Sequence, residues 1–148
     1  MRNAIALATT FMLCACGGPM GPIAGSKLEG TISAWPDDWS FSGEYENLLL
    51  ETNPEDPYSV TIWAVDVEGD LYITAVDSNS RWVQNIAQNS DVIVAVAGKL
   101  YPGRAHVITD PAEMRPVGMR YGTKYEMPPE EGASILEDGG VIFRLSAR

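Results

Sequence analysis

The stretch Asp70–Met114, DLYITAVDSNSRWVQNIAQNSDVIVAVAGKLYPGRAHVITDPAEM, decides the fold. Leu71 to Val76 has strand character, and Asp91 to Ala97 is apolar on both faces, which suits a strand covered on both sides. Between them, Trp82, Val83, Ile86 and Ala87 recur at helical spacing. They predict a helix over 80–88, with Asn79 or Ser80 as its N-cap. Gly98-Lys99 predicts a turn into a strand from Leu100 to Ile108, which makes a hairpin. Asp110 followed by Pro111 predicts the start of a second helix, because Asp caps free N–H groups and Pro fits the first helical position. Pro116 and Gly118 predict that this helix breaks early, with Met119 to Tyr125 resuming before Pro128-Pro129.

Working outward, Phe41 to Glu51 reads as a strand that carries Leu48-Leu49-Leu50 and stops at the turn-rich NPEDP stretch. Tyr58 to Val67 reads as one strand, with Tyr58, Val60, Ile62 and Ala64 on one face and Trp63, Val65 and Val67 on the other. Glu68-Gly69-Asp70 turns it into Leu71 to Val76, a predicted hairpin. Val141 to Leu145, after Gly139-Gly140, is the last strand. The class is mainly β with short helices (α+β). Six short strands with apolar inward faces suggest a small antiparallel barrel.

The N-terminus is an address. Arg2 precedes a short, mostly apolar run from Ala4 to Leu13, well under the roughly 18 apolar residues that span a bilayer. It reads as a cleaved signal peptide. Its end, Leu13-Cys14-Ala15-Cys16, resembles the lipobox of bacterial lipoprotein precursors, which implies a signal peptide over 1–15 and lipidation of Cys16. The competing reading is an ordinary secretory peptide cut a little later, near Gly17-Gly18; the rarity of Cys favours the lipobox. Cys14 and Cys16 are the only cysteines, so cleavage before Cys16 leaves a mature chain with one, tied up as a thioether. No disulfide, thiol nucleophile or Cys-ligated zinc is then available to the body. Gly17, rather than Asp, follows the anchor; by resemblance to the sorting rule of enteric bacteria this implies the outer membrane, with a periplasm-facing body in the cell envelope. Gly17 to Ser26, GGPMGPIAGS, reads as a flexible tether, so 16–26 form the lipidated linker and 27–148 a single domain.

The formal net charge of −10 comes without a basic stripe, which argues against nucleic acid as a partner. Anionic headgroups would repel the body, so membrane attachment falls to the lipid.

The quoted stretch also resembles the middle of split-barrel proteins related to pyridoxamine 5'-phosphate oxidase. Its similar parts are the Leu71-Tyr72-Ile73 strand, the Arg81-Trp82 helix start, Asn89-Ser90-Asp91-Val92 leading into the next strand, the Gly98 turn, Ala105-His106-Val107 and Asp110-Pro111-Ala112-Glu113. Val141-Ile142-Phe143-Arg144-Leu145 is similar to the family's last strand, and the likeness runs over about Leu48 to Arg148. It implies a six-stranded antiparallel split β-barrel of the FMN-binding type, a homodimer built through the barrel, and FMN or a deazaflavin as cofactor. Cofactor-binding members hold the flavin phosphate with Arg or Lys around the strand matching Leu71 to Val76 and the turn after it. Here those positions read Thr74, Ala75, Val76, Asp77 and Ser78, and Asp77 has the wrong sign for a phosphate. Arg81, Lys99 and Arg104 are left as candidate phosphate partners.

No residue is assigned to catalysis. His106, the only histidine, is predicted to face away from the interior beside Arg104 and reads better as a surface residue than as a catalytic one. No G-x-S-x-G elbow, G-x-G-x-x-G loop or Walker loop is present. The acidic pairs Asp37-Asp38, Glu55-Asp56, Glu68-Asp70, Glu130-Glu131 and Glu137-Asp138 sit beside Pro or Gly and read as solvated turns, without regular calcium-loop spacing, so no metal site is assigned. Trp35, Trp39 and Phe41 lie in one dense run that fits either a ligand pocket at the barrel mouth or a plug of the barrel end. Two functions stay open: a lipid-anchored module binding a small apolar ligand or an envelope partner, and a flavin- or deazaflavin-dependent oxidoreductase.

Overall fold

In the computed structural model, residues 17–128 and 139–148 are described. Leu13 to Cys16, Glu130-Glu131 and Glu137-Asp138 lie outside them. The strands are β1 (Thr31–Ile32), β2 (Leu48–Thr52), β3 (Tyr58–Ile62), β4 (Ala64–Val67), β5 (Asp70–Ala75), β6 (Asp91–Val96), β7 (Lys99–Val107) and β8 (Val141–Ala147). The helices are α1 (Arg81–Gln88) and α2 (Pro111–Lys124). One curled sheet runs β3-β2-β6-β7-β8-β5-β4, with β1 paired to β7. Its long pairings are antiparallel. The split barrel is therefore present, with eight described strands in place of the six expected.

The difference in count has physical causes. Tyr58 to Val67 is interrupted at Trp63, where the strand bends from one edge of the sheet to the other, so β3 pairs with β2 while β4 pairs with β5. Only the second half joins the expected hairpin. Because β3 and β4 are the two ends of the sheet and differ by one residue in the chain, the bend brings those ends together. Phe41 to Glu51 is shorter as a strand than expected: Ser40–Glu44 forms a 3-10 turn, and extended pairing starts at Leu48. The β6–β7 turn is Ala97-Gly98, both at positive φ, so β7 starts at Lys99. On the edge of β7 opposite β6, β1 occupies Lys99–Leu100 and β8 occupies Gly103–Val107. Pro102, which has no N–H to give, falls in the gap between them.

Alternation along each strand sorts the core into three layers. Leu48, Leu50, Ile62, Ala64, Leu71, Ile73, Val92, Val94, Tyr101, Phe143 and Leu145 fill the barrel interior with Trp82, Val83 and Ile86 of α1. On the outer face, Val65, Tyr72, Ile108 and Ile142 are covered by Val117 and Tyr121 of α2. On a second part of that face, Ile93 and Ala95 lie under Leu28 of the N-terminal arm, beside Leu49 and Leu100. The two-faced apolar character of β6 is accounted for by that arm within a single chain.

The N-terminal arm is also where the expected tether lies, and Gly17 to Ser26 is folded back on the sheet. Gly25 exchanges two backbone hydrogen bonds of 2.9 Å with Ser59 of β3, and Ser26 N donates to the Gly17 carbonyl at 2.7 Å.

Two helix expectations change. Ser80 occupies the N-cap position of α1, but its hydroxyl donates to the Asp77 carbonyl at 2.7 Å and caps nothing. Helix α2 does not break at Pro116 or Gly118. Asp110 caps it as expected, accepting from Ala112 N at 2.9 Å, and the helix then runs on to Lys124. Interior Pro costs a helix about 3 kcal/mol. Here Pro116 is on the exposed side, while Val117, Gly118, Tyr121 and Gly122 form one buried face against the sheet. Packing of that face outweighs the local penalty.

The last turn of α2 and Tyr125 just after it also supply the partners that the bend lacks. Tyr121 Oη donates to the Trp63 carbonyl at 3.0 Å. Lys124 Nζ donates to the Ala64 carbonyl at 2.7 Å, and Ala64 N donates to Tyr125 Oη at 3.0 Å. The Trp63 ring stacks on Tyr125 at 4.3 Å between centroids. A hydrogen bond between neutral groups contributes about 0.5–1.5 kcal/mol to stability, and one from a charged donor about 1.5–3 kcal/mol. Tyr121→Phe and Lys124→Met are expected to lower stability by about those respective amounts, read as a drop in the urea midpoint. An unchanged midpoint in both variants would contradict this assignment.

Candidate functional site

The inward faces of β7 and β8 continue past the filled interior. Ala105 and Val107 on β7, and Val141 and Phe143 on β8, share the inward alternation. Their outer end is roofed by Val83, Ile86 and Ala87 of α1. Together with Ser78 and Gln84 these residues line a cleft of about 440 Å³. That volume falls within the range of about 300–1,000 Å³ typical of small-ligand sites. The lining is mainly apolar, and the polar groups sit where Gln84 Nε2 donates to the Ser78 carbonyl at 2.9 Å. A second hollow of similar volume runs beside α2, lined by Asp66, Val67, Glu68, Pro116, Met119, Arg120 and Thr123. It is more open to solvent, and the Arg120–Asp66 ion pair at 2.9 Å ties two of its lining residues together. The α1 cleft is the better candidate because it is an unfilled extension of the barrel interior.

Neither hollow is lined by Trp35, Trp39 or Phe41. Trp39 is fully buried in the interior cluster, and Trp35 and Phe41 pack against it. Its ring meets Trp35 edge-on at 4.9 Å, stacks on Phe41 at 5.3 Å and meets Tyr101 at 5.1 Å. Trp39 N donates to the Gly69 carbonyl at 2.9 Å, which ties the run to the β4–β5 turn. Trp35 packs against Gly103, where a Cβ would come within 2.4 Å of the indole. The run is placed as packing.

The three candidate phosphate partners stand apart. Arg81 opens α1, 3.7 Å from Asp56 and with its guanidinium 4.5 Å above the Tyr58 ring. Arg104 is bonded to Asp91 at 3.0 Å, and Arg148 approaches the same carboxylate at 3.6 Å. Lys99 begins β7 at the hairpin turn. At about 3.3 Å per residue it lies about 17 Å along the strand from Arg104. The turn after β5 carries the opposite charge: Asp77 accepts from Asn79 N at 2.8 Å. In this chain Arg81 and Arg104 each face a carboxylate of their own, and Lys99 stands at the other end of β7 from Arg104. His106 is exposed, as expected, with Nε2 2.9 Å from Ser146 Oγ.

Sequence reasoning missed the cleft itself. Its signal was present: Val107 and Val141 are apolar at inward positions beyond the last filled layer, and Ala87 continues the stripe of α1 at a position the core does not bury.

Three likenesses to solved structures carry the comparison. A conserved hypothetical protein of Mycobacterium tuberculosis superposes with a TM-score of 0.60 at 18% identity, covering 73% of this chain and 76% of that one. An F420-H2 dependent reductase gives 0.56 at 17% identity, over 69% of this chain and 95% of that one. A Listeria innocua protein with a provisional pyridoxamine 5'-phosphate oxidase assignment gives 0.51 at 12% identity, over 70% and 84%. No family model matches the sequence, and no curated protein matches it.

One polar network on the outer face has a pH consequence. Tyr72, buried under α2, donates to Glu113 at 3.2 Å, and Glu113 pairs with Arg144 at 3.1 Å. Burial, then the Glu113 carboxylate, pushes the Tyr72 phenol from 10.0 up to about 12. Burial likewise raises Tyr121 and Tyr125. The folded state keeps protons that the unfolded chain loses near pH 10, so this stability is complete below pH 10 and is lost as pH rises through about 12. Burial lowers Lys124, which acts in the opposite sense as pH rises toward its usual 10.5. The urea midpoint is expected to fall between pH 10 and 12, and to fall less in Tyr72→Phe; equal slopes in the two proteins would contradict it. By its architecture, the chain has the split-barrel fold of pyridoxamine 5'-phosphate oxidase-like proteins.

Proposed function

We propose that this chain is a lipid-anchored protein of the bacterial cell envelope, facing the periplasm from the outer membrane, whose split barrel binds a small, mainly apolar ligand in the cleft under α1. The observation that carries the ligand reading is the cleft of about 440 Å³ that continues the barrel interior with an apolar lining and few polar groups. The anchor reading rests on Leu13-Cys14-Ala15-Cys16 and on the absence of any later cysteine. A phosphorylated cofactor fits less well, because Arg81 and Arg104 are ion-paired at separate places and Asp77 occupies the turn after β5.

A second reading, a flavin- or deazaflavin-dependent oxidoreductase, is supported by the likeness to an F420-H2 dependent reductase. Titrations of the purified mature domain separate the two. N-phenyl-1-naphthylamine is expected to brighten on binding, and Ala87→Trp, which fills the cleft, is expected to abolish that signal. FMN and F420 are expected not to bind at high micromolar concentration. Tight binding of either one, weakened by Arg81→Ala or Arg104→Ala, would overturn the ligand reading in favour of the oxidoreductase. For the anchor, Cys16→Ser is expected to release the protein from membranes, and unchanged detergent partitioning would refute lipidation.

A further inference from the structure

The lipid on Cys16 would be followed at once by folded chain. Gly17 accepts from Ser26 N at 2.7 Å and from Ser26 Oγ at 3.2 Å, so the ends of the 17–26 loop are tied together. Gly25 fixes the loop to β3 through Ser59, and its lack of a side chain is required: a Cβ there would come within 2.4–2.6 Å of the backbone of Gly17, Gly18 and Pro19. Within the loop, Met20 and Ile23 exchange two backbone bonds of 3.0 Å around Gly21-Pro22. Their side chains point outward, 67% and 63% exposed. From Gly17 to Ser26 there is no charged residue, in a chain whose net charge is −10.

We infer that the Pro19–Ala24 tip is a bilayer-contacting element, which seats Met20 and Ile23 among the lipid headgroups and upper acyl chains and holds the barrel at the membrane surface. This rests on the proposed lipidation of Cys16. Consecutive Cα atoms are about 3.8 Å apart, so acyl chains on Cys16 leave one peptide unit before the clamped loop. With Gly17 held one peptide unit from the acyl chains, the loop that it clamps is kept within reach of the interfacial layer of about 5–10 Å that amphipathic segments occupy. An exposed, uncharged, Met- and Ile-bearing tip matches that layer, and the acidic remainder of the body is held outside it. Lys27, exposed next to the clamp, supplies a positive charge that suits anionic headgroups.

The test uses the full lipidated chain. Its sole mature cysteine would be blocked by lipid, so a single new thiol can be labelled. Ile23→Cys and, as a control exposed on α2 away from both hollows, Ala112→Cys are labelled with an environment-sensitive nitrobenzoxadiazole and reconstituted into phosphatidylethanolamine–phosphatidylglycerol vesicles. The expected result is a blue-shifted emission at position 23 and several-fold stronger quenching there than at 112 by lipids carrying a shallow nitroxide. Equal, water-like emission at both positions, on chains that are vesicle-bound and carry the acyl mass, would overturn the inserted tip while leaving the anchor intact. A mature chain that lacks the acyl mass would overturn the anchor and, with it, this placement.

Discussion

The structure depends on the backbone at Trp63-Ala64. A sheet this short can close only if one strand leaves its first partner and joins the far edge, and β3 and β4 make that change within one residue. The change takes the Trp63 carbonyl and both polar groups of Ala64 to a point where the ladder gives way to side chains. Tyr121, Lys124 and Tyr125 replace the missing partners and are arranged by one helix end. The Lys124 ammonium also reaches the Ser42 carbonyl at 3.2 Å, so the 3-10 turn before β2 is drawn into the same junction. This ties the course of α2 to the closure of the barrel. A helix that ended at Pro116 would leave the bend without donors.

The sequence was informative where alternation alone decides the outcome. The inward set Tyr58, Val60, Ile62 and Ala64 is the inward set of the structure, and parity holds straight through the bend. The Asp110 cap and the stripe Trp82, Val83 and Ile86 are likewise local features, read locally. The bend was not legible, because Trp63 is a good strand residue and only the partners of its carbonyl reveal the change of edge. The continuity of α2 was hidden for a similar reason: Pro116 and Gly118 speak against a helix locally, while Val117, Tyr121 and Gly122 favour one only once the sheet is beneath them. The GGPMGPIAGS stretch has linker composition, yet Gly25 is there because two backbones pass too closely for a side chain.

The candidate site follows the same division. Cations could be listed from the sequence, but Arg81, Lys99 and Arg104 become separate features once their strands and partners are known. The aromatic run offered two readings, and Trp39 lies in the core with Trp35 and Phe41 packed on it. The cleft under α1 arises because inward apolar residues outnumber the side chains available to cover them at that end of the barrel. Such a surplus is a property of packed layers, which no single motif announces.

The central claim is that α2 and the Trp63 bend form one cooperative unit that closes the barrel. Native-state hydrogen exchange on the Tyr121→Phe, Lys124→Met double variant tests it most directly. The account predicts that amides of β3, β4 and α2 lose protection together, while those of the β6–β7 hairpin keep the protection of the parent protein. Retention of parental protection in β4 while α2 loosens would contradict it.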